Sequence, residues 1–335
     1  MRTGKRVQWP GWLMLSVCLI CLGAESLAEE DPSSVVDVNL FASAVVSEGD
    51  LIMVGDRGKI FLSDDGAGTW KAVDSGTKRA LVAVSFPDDR HGWVVGQAGT
   101  ILHSADGGKT WSAQSSGVEA YLLNIDFIDP AHGFAVGADS TVVATTDGGV
   151  TWKNVSLSLS MDLDEEINLF AVAVMGPQKA CIAGDRGRIF TTEDGGQSWI
   201  ESKSPLYDEE MMEGRILYSM AYDSGVLYAV GIDGAFVTSS DQGRTWIERE
   251  TGFPGPELYC LDVVGGVGMA AGSGGHIIRT TDGGSTWSTV EVPKNITRFW
   301  LSGLDLKRTA SGEIQGLIVG EDGTFGSLRN GTLSW

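Results

Sequence analysis

The residues with the clearest chemical pattern are aspartates that are flanked by hydroxyl residues and glycine and followed by tryptophan. The motif reads Ser/Thr-x-Asp-x-Gly-x-Ser/Thr-Trp and is clearest at Ser104–Trp111 and Thr280–Trp287. Such an aspartate can accept backbone N–H bonds across a hairpin, while glycine permits positive φ there. We therefore expect a structural role in every copy and no catalysis. The motif residues are Asp65, Asp106, Asp147, Asp194, Asp241, Asp282, Trp70, Trp111, Trp152, Trp199, Trp246 and Trp287.

The spacing of the motif indicates the architecture. Its tryptophans recur about every 40–50 residues, which is the period of a propeller or solenoid repeat, and a degenerate seventh copy ends at Trp335. Residues 81–115 contain four short β-prone runs separated by turn residues. The prediction is an all-β, seven-bladed β-propeller of four-stranded antiparallel blades. The aspartate motif, which we call the Asp box, is predicted to lie in the turn between the third and fourth strands.

The two ends of the chain carry separate expectations. Residues 1–28 have a basic start, a short apolar core and small residues before the end, as a cleaved signal peptide does. Residues 40–335 are assigned to the propeller, and residues 29–39 are predicted to help close the ring. No later segment reads as a membrane span. We expect an exported monomer, located in the periplasm or, in a photosynthetic host, in the thylakoid lumen.

Composition excludes several classes of function. The formal net charge of −20 opposes binding to phosphate backbones, so we expect no nucleic acid partner. The four histidines are scattered and form no metal-ligand spacing with cysteine, so neither a metal nor a cofactor is expected. Cys181 and Cys260 fall in non-neighbouring blades, which predicts two buried free thiols rather than a disulfide.

One face of the predicted disc carries the turns between second and third strands together with the connections between blades. Variable loops on a rigid scaffold are where binding residues concentrate. Two connections are longer than the rest, at 156–167 and 204–215, and both mix acids with apolar residues that look exposed, including Leu206. We expect them to act as docking lips. The partner-binding candidates on this face are Arg57, Arg79, Arg186, Arg215, Arg298, Tyr207, Met211 and Met212.

Asp-box propellers resemble sialidases, which hold the substrate carboxylate with three arginines. Arg79, Arg215 and Arg298 could imitate that triad by position, but the chain has no Phe-Arg-Ile-Pro segment and no tyrosine with an evident glutamate partner. A glycosidase also needs two positioned carboxylates, and the sequence singles out no such pair. A carbohydrate-binding or sialidase-like glycosidase propeller remains an alternative.

The repeat is more similar to that of the photosystem II stability/assembly factor family, as the stretch Val95–Trp111 illustrates. The resemblance covers residues 40–335 and implies a non-catalytic, seven-bladed exported propeller. Photosynthetic members bind nascent reaction-centre protein, and related chains look like periplasmic accessories, some linked to resistance–nodulation–division exporters. This chain is acidic where the photosynthetic members carry a basic patch. The main prediction is therefore a non-catalytic scaffold that serves a membrane protein or complex, with an exporter of this type as the named candidate. A photosystem II assembly factor is the alternative.

Overall fold

The computed structural model describes residues 38–155, 157, 166–208, 210–250, 255–329 and 331–335. These residues form seven four-stranded antiparallel sheets, each made of strands that follow one another in the chain. The first strands of neighbouring blades contact one another, and the first strand of the last blade contacts that of the first blade. The sheets thus form a closed ring, and the predicted all-β, seven-bladed propeller is confirmed.

The strands follow the predicted repeat closely. Blade 1 contains β1 Leu40–Ser47, β2 Asp50–Gly55, β3 Ile60–Ser63 and β4 Lys71–Val73; blade 2 contains β5 Leu81–Ser85, β6 Gly92–Gly96, β7 Thr100–Ser104 and β8 Ser112–Ser115. Blade 3 contains β9 Leu122–Phe127, β10 Gly133–Gly137, β11 Val142–Thr145 and β12 Lys153–Asn154; blade 4 contains β13 Leu169–Gly176, β14 Lys179–Gly184, β15 Ile189–Thr192 and β16 Ile200–Ser202.

A two-stranded hairpin precedes the fifth blade. It consists of β17 Tyr207–Asp208 and β18 Glu213–Gly214. Blade 5 contains β19 Leu217–Asp223, β20 Val226–Gly231, β21 Phe236–Ser239 and β22 Ile247–Glu248; blade 6 contains β23 Leu258–Val264, β24 Val267–Gly272, β25 Ile277–Thr280 and β26 Ser288–Thr289. Blade 7 contains β27 Leu301–Arg308, β28 Ile314–Gly320, β29 Phe325–Arg329 and β30 Thr332–Ser334.

The turns between second and third strands share one construction and define the turn face of the disc. In five blades they are single 3₁₀ turns, at Asp56–Gly58, Asp185–Gly187, Ile232–Gly234, Ser273–Gly275 and Glu321–Gly323. In blades 6 and 7 the last residue of the turn donates its amide to a carbonyl just before the next blade, as Gly275 does to Phe299 at 2.7 Å. These bonds therefore tie the turn of one blade to the start of the next.

The Asp boxes lie on the opposite face, which we call the box face. In the second blade the Asp106 carboxylate accepts bonds from the Thr110 amide (2.9 Å), the Thr110 hydroxyl (2.7 Å) and the Ser104 hydroxyl (2.9 Å). The Ser104 hydroxyl in turn accepts the Gly108 amide at 2.8 Å. The same set recurs at Asp65, Asp147, Asp194, Asp241 and Asp282. These bonds hold the hairpin, as a structural role requires.

The box tryptophans lie in the gaps between blades. Trp70 of blade 1 meets Phe325 of blade 7 edge to face at 5.5 Å, and Trp287 of blade 6 meets Phe236 of blade 5 at 5.3 Å. Trp246 is buried at 6% exposure, and the other box tryptophans are partly exposed. Each indole therefore covers apolar surface of its own sheet and the preceding one, which makes the gaps a continuous core.

Other expectations have separate outcomes. Cys181 lies on β14 and Cys260 on β23; both are buried and free, as predicted. The predicted signal peptide 1–28, most of 29–39 and most of the connection 156–167 lie outside the described residues. In the part of the chain that is described, no helix has the length and apolar character needed to cross a membrane.

Candidate functional site

Each blade carries a β-bulge at the second residue of its first strand. In blade 5, for example, Leu217 pairs with Gly231 and Ser219 with Val230, so Tyr218 has no partner residue. Bulges re-aim a side chain and are common beside functional sites. The seven bulged residues stand where the inner strands begin, on the turn face, and we call this ring the channel mouth. Its members are Phe41, Val82, Leu123, Phe170, Tyr218, Tyr259 and Ser302.

Aromatic residues cluster on one side of the channel mouth. The ring of Tyr218 lies 5.6 Å from that of Phe170 and 5.6 Å from that of Tyr259, both in edge contacts. Further round the ring, Phe41 stacks on Trp300 at 5.9 Å. All five side chains are partly exposed. Blades 4, 5, 6, 7 and 1 therefore present an aromatic arc, whereas blades 2 and 3 present aliphatic Val82 and Leu123.

Carboxylates surround the tyrosines of the arc. Burial raises the pKa of Tyr218, and the neighbouring Tyr259, Glu257, Asp185 and Asp233 raise it further. Burial and the charge of Glu257 also raise the pKa of Tyr259 to about 12. Both phenols thus stay protonated at physiological pH; three acids lie near Tyr218, and one of them, Glu257, also lies near Tyr259. An aromatic face beside negative charge is an environment that favours a cation.

Deeper along the inner strands, carboxylates join neighbouring blades. Asp126, Asp262 and Asp305 occupy the fifth position of their first strands, and each accepts an amide of the next blade at 2.7 Å. In blade 2 the hydroxyl of Ser85 takes the same place and accepts the Phe127 amide at 3.2 Å. Burial raises the pKa of Asp126 to about 6. The pKa of Asp262 is also raised, first by burial and then by the charge of Asp305.

The arginines of the sialidase-like alternative are held separately, on three different blades. Arg79 donates to the Ala98 carbonyl at 3.2 Å, within blade 2. Arg215 forms an ion pair with Glu248 of blade 5. The Arg298 guanidinium lies 4.6 Å from the ring centre of Phe299, before blade 7. These contacts engage each guanidinium within its own repeat and give no support to a carboxylate-binding triad.

Two other predicted arginines occupy equivalent turns. Arg57 and Arg186 are the middle residues of the Asp-Arg-Gly turns of blades 1 and 4, at φ 55° and 59°. Both lie on the turn face, at the two ends of the aromatic arc. Each arginine follows an aspartate, Asp56 or Asp185. Burial raises the pKa of both aspartates by more than the charge of the neighbouring arginine lowers it.

The connection before blade 5 contains the remaining candidates. Met211 and Met212 are 67% and 39% exposed, whereas Leu206 is buried at 6%. The prediction that Leu206 is exposed was therefore wrong: it packs with Ala235 and Trp246 in the core between blades 4 and 5. Tyr207 is partly buried and lies 5.9 Å from the guanidinium of Arg188, which also lies 5.0 Å from the Phe190 ring.

Sequence reasoning missed Arg188, the aromatic arc and the inner-strand aspartates. Arg188 makes a two-point ion pair with Glu201, at 2.7 and 2.8 Å, and is 4% exposed. For the arc, a signal exists in the sequence: the first strands open with Leu followed by Phe or Tyr in four repeats. These pairs are Leu40-Phe41, Leu169-Phe170, Leu217-Tyr218 and Leu258-Tyr259.

Metal chemistry finds no support in the described ranges, where no group of three or more His, Cys, Asp or Glu side chains is placed to hold an ion. On the box face, an open cleft of ≈ 550 Å³ lies between blades 4 and 5. Its lining includes Met175, Lys179, Tyr222 and Gln242, and Lys179 donates to Gln242 at 2.8 Å across it. This cleft holds none of the predicted site residues.

Comparison with known proteins identifies the repeat. The model of the family "Photosynthesis system II assembly factor YCF48" matches residues 62–121 and 111–206. A photosystem II assembly lipoprotein Ycf48 from Synechococcus sp. (strain CC9902) is 28% identical over 108 residues. That alignment spans 32% of this chain and 31% of the relative, so less than a third of the relative's length is matched.

Solved structures share the fold over nearly the whole chain. YCF48 bound to a D1 peptide has a TM-score of 0.66 at 19% identity, covering 89% of this chain and 94% of that one. A GH74 xyloglucanase from Xanthomonas campestris has a TM-score of 0.70 at 15% identity, covering 90% of this chain and 53% of the enzyme. At identities this low, the matches show only that the fold is shared. The family resemblance predicted from the repeats is confirmed: this chain is a seven-bladed Asp-box propeller similar to the photosystem II assembly factors.

Proposed function

We propose that this chain is an exported, non-catalytic propeller that binds a membrane protein and assists assembly of its complex, and that the complex is photosystem II. The observation that carries the proposal is the match of its repeats to the assembly factor family over residues 62–206, together with a relative of the same fold that holds a D1 peptide. None of the relatives named above is an exporter accessory. The assembly-factor alternative therefore has better support than the exporter reading.

The geometry supports a binding role. The carboxylates of the Asp boxes accept hydrogen bonds within their hairpins, and the box tryptophans fill the gaps between blades. The turn face, in contrast, carries the partly exposed aromatic arc, the arginines of two equivalent turns and the exposed Met211. Exposed aromatic residues, Met and Arg are enriched at protein interfaces. We assign partner binding to this face and location to the exported side of a membrane, the thylakoid lumen in a photosynthetic host.

In vivo photo-crosslinking tests the proposal. A crosslinking residue at position 57, 186 or 207 samples the turn face, and one at exposed Lys109 samples the box face as a matched control. We expect a photosystem II polypeptide to be captured from the turn face and not from Lys109. Capture of an envelope transporter instead would restore the exporter reading. Equal capture from both faces, or none, would reject a binding role for the turn face.

Catalysis is tested separately with purified protein. The fold is shared with a xyloglucanase, but a glycosidase depends on two carboxylates at a set separation. The carboxylates of the Asp boxes and of the inner strands are engaged with amides or hydroxyls, as Asp126 is with the Val174 amide. We expect no release of sugar from xyloglucan or from a fluorogenic sialoside. Turnover that disappears on mutation of an inner-strand aspartate (Asp126, Asp262 or Asp305) would replace the proposed function by the glycosidase alternative.

A further inference from the structure

We propose that the channel mouth binds a positively charged segment of a partner polypeptide, with an arginine or lysine side chain seated against the rings of Tyr218 and Tyr259. This inference deepens the proposed function, on which it rests, because it names the chemistry of the partner segment. It concerns the part of the mouth formed by blades 4 to 6.

The mouth presents surface that the fold itself does not use. Packing between blades is provided by residues such as Leu217 and Leu258, which are essentially buried. The next residue of each strand is the bulged tyrosine, which stands outside the interblade core clusters and remains partly exposed. Tyr218 meets its two aromatic neighbours at interplanar angles of 68° and 64°. Edge contacts of this kind leave ring surface available to a ligand.

The charges around the arc select a cation. Glu257, Asp185 and Asp233 all act on the Tyr218 hydroxyl. The turns of blades 5, 6 and 7 contain no basic residue, whereas the last contains both Glu321 and Asp322. The basic Arg57 and Arg186 belong to blades 1 and 4, at the ends of the arc. Two more arginines lie between these ends, but Arg215 is paired with Glu248 and the Arg298 guanidinium lies against Phe299. The acids beside Tyr218 therefore remain the charges closest to its ring, and a cation over that ring gains from both the aromatic face and the carboxylates.

The occupant is a segment of a different protein rather than a second copy of this chain. The net charge of −20 opposes self-association through an acidic mouth. An extended basic segment offers what the mouth lacks: positive charge, and side chains long enough to lie along the rings. Arginine suits the site best because its planar guanidinium stacks on aromatic faces and also bonds carboxylates.

Direct binding to the purified mature chain tests the inference, with a fluorescent arginine hexapeptide as the probe. Serine and glutamate hexapeptides of equal length serve as ligand controls. The diagnostic variant is Tyr218→Leu with Tyr259→Leu. The chain itself places Val82 and Leu123 at this bulge in blades 2 and 3, so leucine is compatible with the fold. Unchanged thermal melting of the variant verifies that it remains folded.

A pair of charge variants separates local recognition from general attraction to an acidic protein. Asp233→Asn with Glu257→Gln removes two acids beside the arc. Asp139→Asn with Glu119→Gln removes two exposed acids from the same face next to blade 3, for an identical change in net charge. We expect the arginine peptide to bind about tenfold more weakly to the tyrosine variant and to the first charge variant. The second charge variant should change binding less than twofold.

Three outcomes would overturn the inference. The arginine peptide could fail to bind, it could bind no better than the serine peptide, or both charge variants could weaken it equally. None of these results would affect the crosslinking test of the proposed function, because that test identifies a partner wherever on the turn face it docks. Conversely, the turn face could capture a polypeptide that is not part of photosystem II while the mouth still binds the peptide, which would reject the photosystem assignment alone.

Discussion

The amide of Gly323 donates a hydrogen bond of 2.7 Å to the carbonyl of Val38, which joins the last blade to the first. The amide of Gly99 in blade 2 makes the equivalent bond to the carbonyl of Ala120, which lies just before blade 3. All four strands of blade 7 come from residues 301–334. In the described residues, then, the ring is closed by one more copy of the ordinary interblade contact, with side-chain packing between β1 and β27.

Truncation of residues 33–40 is expected to lower the melting temperature by roughly 10 °C, because it removes the Val38 carbonyl and the fully buried side chain of Leu40. Circular dichroism melts measure the effect. Removal of residues 29–34 only is the matched control and leaves this contact in place. A melting temperature that is unchanged by the longer truncation would show that closure depends on neither the contact nor the predicted N-terminal clasp.

The two glycines of an Asp box should differ in how far they tolerate alanine. Gly195 and Gly196 both have positive φ, at 74° and 85°. An added Cβ would meet nothing within 4 Å at Gly195 but would lie 2.8 Å from Val155 Cγ2 at Gly196. We expect Gly195→Ala to cost about 1 kcal/mol from backbone strain and Gly196→Ala about 2–4 kcal/mol from strain plus overpacking.

Urea denaturation of these two variants gives the comparison. Ala67 already occupies the position of Gly196 in the first box, at φ 78°, so the strain alone is tolerable. Equal losses of stability in the two variants would mean that the contact with Val155 yields without cost.

Stability should be greatest in mildly acid solution. Hydrogen bonds from Thr245 and Thr286 lower the pKa of Asp241 and Asp282 to about 2, so the stability they provide is present above about pH 4 and is lost as the pH falls towards 2. Burial raises the pKa of Asp126 to about 6; its native form holds the proton more tightly, so its contribution is lost as the pH rises from about 4 through 6.

Melting temperatures between pH 2 and 9 test this profile, and Asp126→Ser isolates its alkaline limb. Serine is the residue that blade 2 uses at the equivalent position, where Ser85 accepts an amide of the next blade. We expect a smaller fall in melting temperature between pH 4.5 and 7.5 for the variant than for the parent chain. An identical fall would assign the pH dependence to other groups.

The ion pair behind the hairpin should respond unequally to the loss of its two partners. Arg188 is 4% exposed, whereas Glu201 is 40% exposed. Glu201→Leu leaves a buried guanidinium without its carboxylate and is expected to cost about 3–5 kcal/mol. Arg188→Met leaves a carboxylate that water can reach, and its cost should be about 1–2 kcal/mol. Urea midpoints of the two variants decide the order, and a reversed order would contradict the assigned burial.

The sequence predicted the repeat because strand and turn residues act locally. The β-prone runs predicted within residues 81–115 are strands in the structure, β6 Gly92–Gly96 and β7 Thr100–Ser104 among them, because turn residues mark both ends of each run. The aromatic arc escaped prediction because a bulge depends on how two strands pair. The alternation of residues along a strand predicts which face Tyr218 lies on, but the irregular register between Leu217 and Ser219 changes the direction of its side chain. Leu206 was misplaced for a related reason, because its burial depends on the gap between two blades.

The exposed methionines of the hairpin connection supply the last prediction. Met211 and Met212 lie beyond the buried Leu206, so Met211→Ser with Met212→Ser should leave the melting temperature unchanged. If the connection is a docking lip, capture of the partner by a crosslinker at position 207 should fall about fivefold, because flexible thioether side chains contribute contact area at interfaces. Ile247→Ser is the matched control, since it removes another exposed apolar side chain, 57% exposed on the outer strand of blade 5. Capture that persists in the methionine variant, or falls equally in the Ile247 variant, would exclude the connection as a specific contact and leave the channel mouth as the binding surface of the turn face.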